Sequence, residues 1–182
     1  LADIYGVKST TRELPGTIPI VFSRDRKTSE QVWSGNVGYP GGAEYLDFHK
    51  KHHDSGLRYW KVTGHQIDIA AKQQYVTSAT EERLEQNVLH FVSLVRQTLT
   101  EHLMQTGKTG VVCSPFDTEL FGHWWFEGPR FLEKLLAQLS TDNDIKRSNC
   151  AGIVDRTPTT AVNALPEVAW GEGGGPRIGT NG

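Results

Sequence analysis

The sequence has few cysteines, no long hydrophobic run and no excess of positive charge. Its 182 residues include two cysteines, Cys113 and Cys150, too few for a disulfide framework and without the spacing of metal ligands. We therefore expect a reducing, cytoplasmic environment. No apolar stretch approaches the roughly 20 residues of a membrane helix, and the N-terminal residues lack the basic and apolar regions of a signal peptide. With 19 Lys and Arg against 21 Asp and Glu, the chain has no excess of positive charge for binding nucleic acid. We therefore expect neither nucleic acid nor a membrane as a partner.

Short apolar runs alternate with helical periodicity along the chain, which is typical of a single α/β domain with a parallel sheet. PIVFSRD (19–25) is predicted to form a buried parallel strand, because an apolar run ends abruptly in charged residues. GVVCSPFD (110–117) repeats that pattern. Residues 44–53 are predicted to form a short helix, and LRYWKVTG (57–64) has the alternation of a short strand.

The longest predicted helix covers residues 78–105. Ser78 and Glu81 have the spacing of a capping box, and Gly107 is the expected stop. One apolar stripe runs along this helix: Leu84, Val88, Phe91, Val95, Leu99 and Leu103. A second helix is predicted to begin near Pro129.

The segment SPFDTELFGHWWFEG (114–128) has the most unusual composition. Asp117 follows a predicted strand, where α/β barrels place catalytic groups. Apolar neighbours would raise the pKa of its carboxyl and keep a proton available for general acid catalysis. His123 and a tryptophan could hold a sugar by hydrogen bonding and stacking. The alternative is that Trp124 and Trp125 anchor the core and that Asp117 caps the following helix.

FDTELFGHWWFEGP (116–129) resembles the fourth conserved region of glycoside hydrolase family 57, in its α-glucan branching-enzyme branch. Residues 19–49, LRYWKVTG and LPEVAWGEGG (165–174) resemble other segments of that family, in the same order. The resemblance implies a retaining enzyme with an incomplete, seven-stranded TIM-like barrel. We therefore expect residues 1–170 to be the C-terminal part of a partial (β/α)7 barrel, followed by a disordered glycine-rich tail at 171–182.

The same resemblance implies roles for individual residues. Asp117 would be the general acid/base, and His123, Trp124 and Trp125 would line the donor site. Tyr39 would be the aromatic residue of a mobile loop that shields the intermediate from water, with packing of the loop as the alternative. Trp170, and less directly Trp60, would contact substrate. The family's nucleophilic glutamate would lie before residue 1, since Glu13, Glu30 and Glu44 do not have the required context.

Other polar residues admit simpler interpretations. Arg24 and Asp25 either bind sugar hydroxyls or form an ion pair that organises a loop. The histidines of FHKKHH lack a second ligand cluster, so they are assigned to a solvated helix face and no metal is expected. Glu119 is expected to support the site by a hydrogen bond, and Cys113 to be a small core residue.

The resemblance to the branching-enzyme branch implies an α-1,4-glucan as the substrate, with no cofactor, and transfer that forms α-1,6 branches as the reaction. An α-amylase or 4-α-glucanotransferase of the same family is the first alternative. A catalytically inactive glucan-binding remnant is the second. The oligomeric state is not predicted.

Overall fold

The computed structural model describes residues 4–8, 20–34, 37–64, 67–156 and 161–164. The chain divides into two compact units. The larger unit contains residues 24–148, and the smaller one contains residues 3–23 and 149–182. Trp170 and the glycine-rich segment 171–182 lie outside the described residues.

The smaller unit contains a three-stranded mixed sheet with strand order β2-β1-β3. Strand β1 (Ile4–Lys8) pairs antiparallel with β2 (Ile20–Phe22) and parallel with β3 (Ala161–Ala164). The apolar run of PIVFSRD therefore forms a strand, but the expectation of a buried parallel strand is wrong. Strand β2 is half-buried and antiparallel to its neighbour. An apolar run favours a strand, whereas the neighbouring strand decides whether the pairing is parallel or antiparallel.

The larger unit is built on two helices that pack together, α2 (Ser78–Thr106) and α3 (Gly128–Ser140). The predicted stripe of α2 is confirmed from Leu84 to Val95, which are buried, whereas Leu103 near the end is 51% exposed. Gly107 ends the helix with φ +69° and donates its N–H to the Leu103 carbonyl at 2.8 Å. Helix α1 (Arg26–Trp33) precedes them, and helix α4 (Cys150–Val154) belongs to the smaller unit. Within the described residues, no helix combines the length and apolar character needed to cross a membrane.

The predicted capping box at the start of α2 is wrong. Thr77 is the N-cap residue, and its side chain makes no capping hydrogen bond. The carboxylate of Glu81 instead pairs with Arg130 at 3.2 Å and Lys134 at 3.1 Å on α3. Hydrogen bonds from these two cations hold the pKa of Glu81 below its ordinary value. Two cations on a neighbouring helix compete successfully with one backbone N–H, and sequence spacing does not reveal them.

Three further predicted elements are absent from the described segments they were assigned to. Residues 44–53 form turns rather than a helix, so the histidines of FHKKHH lie on an exposed or part-exposed loop. Residues 57–64 form backbone hydrogen bonds to segments on both sides, but the pairing reduces to the isolated bridges Leu46–Lys61 and Trp60–Gln74, and Thr63 has a φ of +65°. Residues 110–117 form no strand, and Cys113 there accepts one backbone hydrogen bond, from Asp25 N at 2.8 Å. A strand requires a neighbouring ladder, which an apolar run alone does not supply.

The irregular segment between α1 and α2 is organised around a buried ion pair. The Lys72 ammonium lies 2.5 Å from Asp47 Oδ2, with side chains 3% and 9% exposed respectively. Lys72 also donates to the Val62 carbonyl at 2.6 Å. Asp47 Oδ1 accepts the backbone N–H groups of His49 at 2.7 Å and Lys50 at 3.1 Å. One ion pair therefore ties together three parts of a segment that has little regular structure.

Removing one partner of this pair should be strongly destabilising. Lys72→Met leaves the Asp47 carboxylate buried without its cation, which costs about 3–5 kcal/mol in comparable sites. Burial acts to raise the pKa of Asp47, but Lys72 and the two backbone donors outweigh it and hold the pKa below its ordinary value. The stabilisation is therefore present above the ordinary carboxyl pKa of about 4 and is lost as the pH falls through the lower folded-state pKa.

Chemical unfolding at pH 7 measures the difference, with Lys108→Met at an exposed position as the control. The control should change the free energy of unfolding by less than about 0.5 kcal/mol. Equal effects of the two substitutions would contradict a structural role for the ion pair.

Candidate functional site

A tight turn places the two adjacent tryptophans of the 114–128 segment in different environments. A short 3-10 helix, Thr118–Leu120, is followed by Gly122 at φ +95°. The backbone then closes on itself, with Trp125 N donating to Leu120 O at 2.8 Å and Gly122 N donating to Trp125 O at 2.8 Å. A side chain at Gly122 would be strained by this positive φ, so glycine is required for the turn.

Trp125 is a core residue. Its indole is 1% exposed and packs against four aromatic rings, of which Phe131 at 5.0 Å and Tyr45 at 5.5 Å are the nearest between ring centroids. A side chain with this burial presents no face to a ligand. The contacts therefore correspond to the alternative of a core anchor rather than to the expected substrate contact.

Trp124, the preceding residue, is 42% exposed. Its indole Nε1 donates to Glu119 Oε1 at 3.3 Å, and its backbone N donates to Glu119 O at the same distance. Glu119 thus has the supporting hydrogen-bond role that the sequence predicts. The ring of Trp124 lies 4.4 Å from that of Phe48 and 5.4 Å from that of His123. The motif therefore presents a fixed, accessible aromatic surface.

Asp117 is exposed at the start of the 3-10 helix, and its side chain makes no capping hydrogen bond. The alternative that this residue serves as a helix cap is therefore not supported. Because the Asp117 side chain is exposed, the described residues do not enclose it in the expected apolar surroundings. The Asp117 carboxyl group is therefore accessible, and among the described residues it makes no capping hydrogen bond. It lies in the same motif as Trp124.

Tyr39 belongs to the GYPGG loop, and its side chain is buried, with 6% exposed. Its hydroxyl is hydrogen-bonded to His90 Nδ1 at 2.7 Å, and its ring lies 5.5 Å from that of Phe131. Burial raises the pKa of its phenol well above the ordinary value. A cleft of about 450 Å³ opens beside it, lined in part by Arg83 and Asn87. These contacts favour the alternative that Tyr39 packs the loop over its role as a mobile lid.

The other predicted site residues are dispersed. Asp25 is buried as the N-cap of α1, and its Oδ1 accepts Thr28 N at 2.8 Å and Thr28 Oγ1 at 2.7 Å. Arg24 is exposed. Trp60, within residues 57–64, is half-buried, and its ring lies 5.9 Å from that of Tyr59. Cys113 is half-buried, and the described residues contain no cluster of three or more potential metal ligands.

Sequence reasoning did not single out two residues of this region: Phe48 contacts the Trp124 ring, and Arg58 lies over the Phe48 ring. The ring of Phe48 lies 5.3 Å from that of His123 as well as 4.4 Å from that of Trp124. The guanidinium carbon of Arg58 lies 4.5 Å from the Phe48 ring centroid. Both lie in segments that resemble the family, residues 19–49 and 57–64, but no periodicity distinguishes either residue, and their contact with each other arises only from the tertiary fold.

Comparison with known proteins identifies relatives over nearly the whole chain. A 1,4-alpha-glucan branching enzyme of Thermococcus kodakarensis is 44% identical over 167 residues, which are 90% of this chain and 25% of that enzyme. A probable 1,4-alpha-glucan branching enzyme of Mycobacterium tuberculosis is 35% identical over 170 residues, 93% of this chain and 32% of its own length. No protein-family model matches the chain.

Solved structures give the same result. The crystal structure of the Thermococcus enzyme, described as a branching enzyme of glycoside hydrolase family 57 in complex with glucose, aligns with a TM-score of 0.83 and 36% identity. This alignment covers 95% of this chain and 30% of that one. The α-amylase AmyC of Thermotoga maritima aligns with a TM-score of 0.77 and 25% identity, over 93% of this chain and 35% of that one.

This chain is homologous to branching enzymes of glycoside hydrolase family 57. The resemblance noted in the sequence is thereby confirmed. The chain spans about a quarter to a third of the length of the relatives it matches. In this branching-enzyme homologue, the motif FDTELFGHWWFEGP thus combines an exposed carboxylate, an exposed tryptophan and a buried one.

The same motif contains a third carboxylate, Glu127, which unlike Asp117 and Glu119 is buried. Glu127 Oε1 accepts the Leu46 backbone N–H at 3.0 Å, and the Tyr75 hydroxyl also interacts with this carboxyl. Burial raises the pKa of Glu127 above its ordinary value, and the hydrogen bonds only partly oppose this effect. The carboxyl holds the loop that carries Phe48 against the start of α3.

Replacing Glu127 by glutamine should remove a pH-dependent loss of stability. Because its folded-state pKa is raised, the native state retains a proton that the unfolded state releases above about pH 4. Stability contributed by this group therefore falls as the pH rises toward the folded-state pKa. In Glu127→Gln the amide oxygen still accepts from Leu46 N, so the variant should gain stability relative to the unaltered chain over that pH range.

Unfolding free energies measured from pH 4 to 8 on both proteins test this effect, because other titrating groups cancel in the difference. Glu82→Gln, which removes an exposed carboxylate of α2, is the matched control. A difference between Glu127→Gln and the unaltered chain that does not change with pH would contradict the prediction.

Proposed function

We propose that this chain carries the acid/base part of the active site of a retaining 1,4-α-glucan branching enzyme, within a partial (β/α)7 TIM-like barrel. The observation that supports this proposal is the state of Asp117. Its carboxyl group is exposed, takes no part in capping, and lies in the motif that also presents Trp124. Homology to branching enzymes over 90% of the chain supports the reaction class.

In the proposed reaction, Asp117 first protonates the leaving glycosidic oxygen and then removes a proton from the acceptor hydroxyl. A retaining mechanism needs a second carboxylate about 5–5.5 Å away, which forms the glycosyl-enzyme. We assign that nucleophile to a part of the longer relatives outside the matched segment. The apolar environment expected around Asp117 would come from the same part.

The proposed glucan contacts follow from the exposed side chains of the motif. Trp124 would stack against a glucose ring, and His123 would bind a hydroxyl. Trp125 would act indirectly, since its burial anchors the turn that orients its neighbour. Trp60, Trp170 and Arg24 stay predicted substrate contacts, whereas Asp25 is better explained by its capping bonds to α1. The cytoplasmic location also stays a prediction.

Hydrolysis is the alternative reaction. The structural likeness to the Thermotoga α-amylase favours it, but the identity is 25% against 36% for the Thermococcus branching enzyme. Branching and hydrolysis differ in whether a sugar hydroxyl or water attacks the glycosyl-enzyme, so exclusion of water decides the outcome. An inactive glucan-binding remnant is the second alternative, in which Asp117 would have no acid/base role.

A segment exchange tests the acid/base assignment. The matched segment of the Thermococcus branching enzyme is replaced by this chain, which restores the rest of the catalytic domain. We expect branching from this chimaera and a loss of at least about 100-fold on Asp117→Asn, since general acid–base catalysis contributes about 10²–10⁴-fold. Branch points and reducing ends are measured in the same reaction with amylose.

Asp144→Asn, at an exposed aspartate that pairs with Arg96, is the control and should leave the rate unchanged. New reducing ends without branch points would favour the hydrolase. A folded chimaera that binds amylose but forms neither branch points nor reducing ends would favour the inactive glucan-binding remnant. Full activity of Asp117→Asn would overturn the assignment of the acid/base.

A further inference from the structure

A chain of hydrogen bonds connects the start of α1 to the segment that carries Asp117. The carboxylate of Asp25, a residue that is 4% exposed, accepts the Thr28 backbone N–H at 2.8 Å and the Thr28 hydroxyl at 2.7 Å. The Thr28 hydroxyl oxygen also lies 2.5 Å from Ser114 Oγ. Because a carboxylate only accepts hydrogen bonds, Thr28 donates to Asp25 and accepts from Ser114. Ser114 lies three residues before Asp117.

These contacts exceed what capping of α1 requires. An N-cap side chain needs a backbone N–H of the first turn, which Thr28 supplies to Asp25. The fully buried Thr28 hydroxyl adds a bond to a segment 86 residues along the chain. A backbone bond joins the same two segments, from Asp25 N to Cys113 O at 2.8 Å. The start of α1 therefore holds residues 113–114 by both backbone and side-chain contacts.

The short link between Ser114 and Asp117 is stiff. Residues 110–117 form no strand, so no ladder of strand hydrogen bonds fixes them. The ring of Pro115 fixes its φ at about −65° and restricts the residue before it to extended conformations. Phe116 then packs against the core of the larger unit. A displacement of Ser114 is therefore passed on to Asp117 rather than absorbed by the link.

The position of Asp117 matters because general acid catalysis needs a donor within hydrogen-bond distance of the leaving oxygen. A displacement of about 1 Å can lower a rate about 100-fold. The Asp117 side chain is exposed and makes no capping hydrogen bond, so its position depends on the backbone that carries it. That backbone is held by α1 on the upstream side and by the Gly122 turn on the downstream side.

We propose that Thr28 and Ser114 are positioning residues for Asp117, which they hold where its carboxyl group reaches the glycosidic oxygen. In this role they act through the backbone rather than by touching the substrate. The inference rests on the proposed acid/base function of Asp117. It gives Asp25 a role beyond capping, because its carboxylate orients the Thr28 hydroxyl.

Two substrates that differ in their leaving group separate a positioning role from a merely structural one. Amylose needs a proton on its leaving oxygen, whereas fluoride leaves α-maltotriosyl fluoride without help from a general acid. In the chimaera with the Thermococcus enzyme, Thr28→Val should lower kcat on amylose about tenfold, because part of the roughly 10²–10⁴-fold contribution of acid–base catalysis is lost. Fluoride release in the first turnover and KM should each change by less than about twofold.

Matched variants show whether the Thr28 hydroxyl is responsible. Thr28→Ser keeps the hydroxyl and should retain the rate on amylose. Thr98→Val is the control and should leave both rates unchanged, since Thr98 is also buried and its hydroxyl donates to Leu94 O within α2 at 2.8 Å. If Thr28→Val does not fold, Ser114→Ala decides the question. It removes the same bond at a half-buried position, leaves the contact of Thr28 with Asp25 in place, and should give the same selective loss.

Hydrogen exchange of the 182-residue chain supplies a readout that does not depend on activity. The Leu120 backbone N–H donates to Asp117 O at 3.1 Å. Because a released segment opens more often, exchange at this amide should be about tenfold faster in Thr28→Val than in Thr98→Val. Equal exchange in the two variants would contradict the coupling between Thr28 and Asp117.

The remaining outcomes distinguish failure of this inference from failure of the proposed function. Equal losses on the two substrates, or no loss, in Thr28→Val would overturn the positioning role alone when Asp117→Asn still shows a selective loss on amylose. If Asp117→Asn lowers both rates equally, or lowers neither, the acid/base assignment is wrong and the positioning role is wrong with it.

Discussion

Burial of the Trp125 indole is the contact on which the arrangement of the larger unit depends. Its ring packs against Tyr45 from the irregular segment, Phe121 from the motif turn and Phe131 from α3. One side chain therefore joins the motif turn and α3 to Tyr45, which lies 80 residues earlier in the sequence. Aromatic burial of this size is among the largest single contributions to a core, and it leaves the adjacent Trp124 directed toward solvent. The turn at Gly122 allows Trp125 to be buried while the adjacent Trp124 is exposed.

Buried charge has a second, more specific role in the same unit. Asp47, Lys72 and Glu127 hold a segment whose backbone has few ladder hydrogen bonds of its own. Burying these groups costs free energy that good geometry offsets only in part. What the arrangement provides is a defined position for a loop that neither helix nor sheet would fix. Phe48 acquires its place beside Trp124 from this arrangement.

The chemistry proposed for the motif is consistent with this construction. Reacting and binding groups need to be accessible, yet fixed by a second layer of contacts that solvent does not reach. Asp117 and Trp124 satisfy the first condition, and the buried Trp125 satisfies the second, while Glu119 and Phe48 contact the Trp124 indole nearer the surface. Homologous branching enzymes extend well beyond the matched segment, so the second carboxylate of a retaining mechanism has room to lie elsewhere in a longer protein.

The amino-acid sequence by itself determined the local features that depend on short-range physics. The apolar stripe of α2 fixes its buried face from Leu84 to Val95, Gly107 ends that helix through its positive φ, and the motif around Asp117 carries the homology. Only the tertiary structure decided which of two adjacent tryptophans is buried, that Glu81 binds cations on α3 rather than capping its own helix, and that β2 pairs antiparallel. It also brought Phe48 to Trp124 and Arg58 to Phe48. These outcomes depend on contacts between residues that are separated along the chain, and periodicity and propensity carry no information about such contacts.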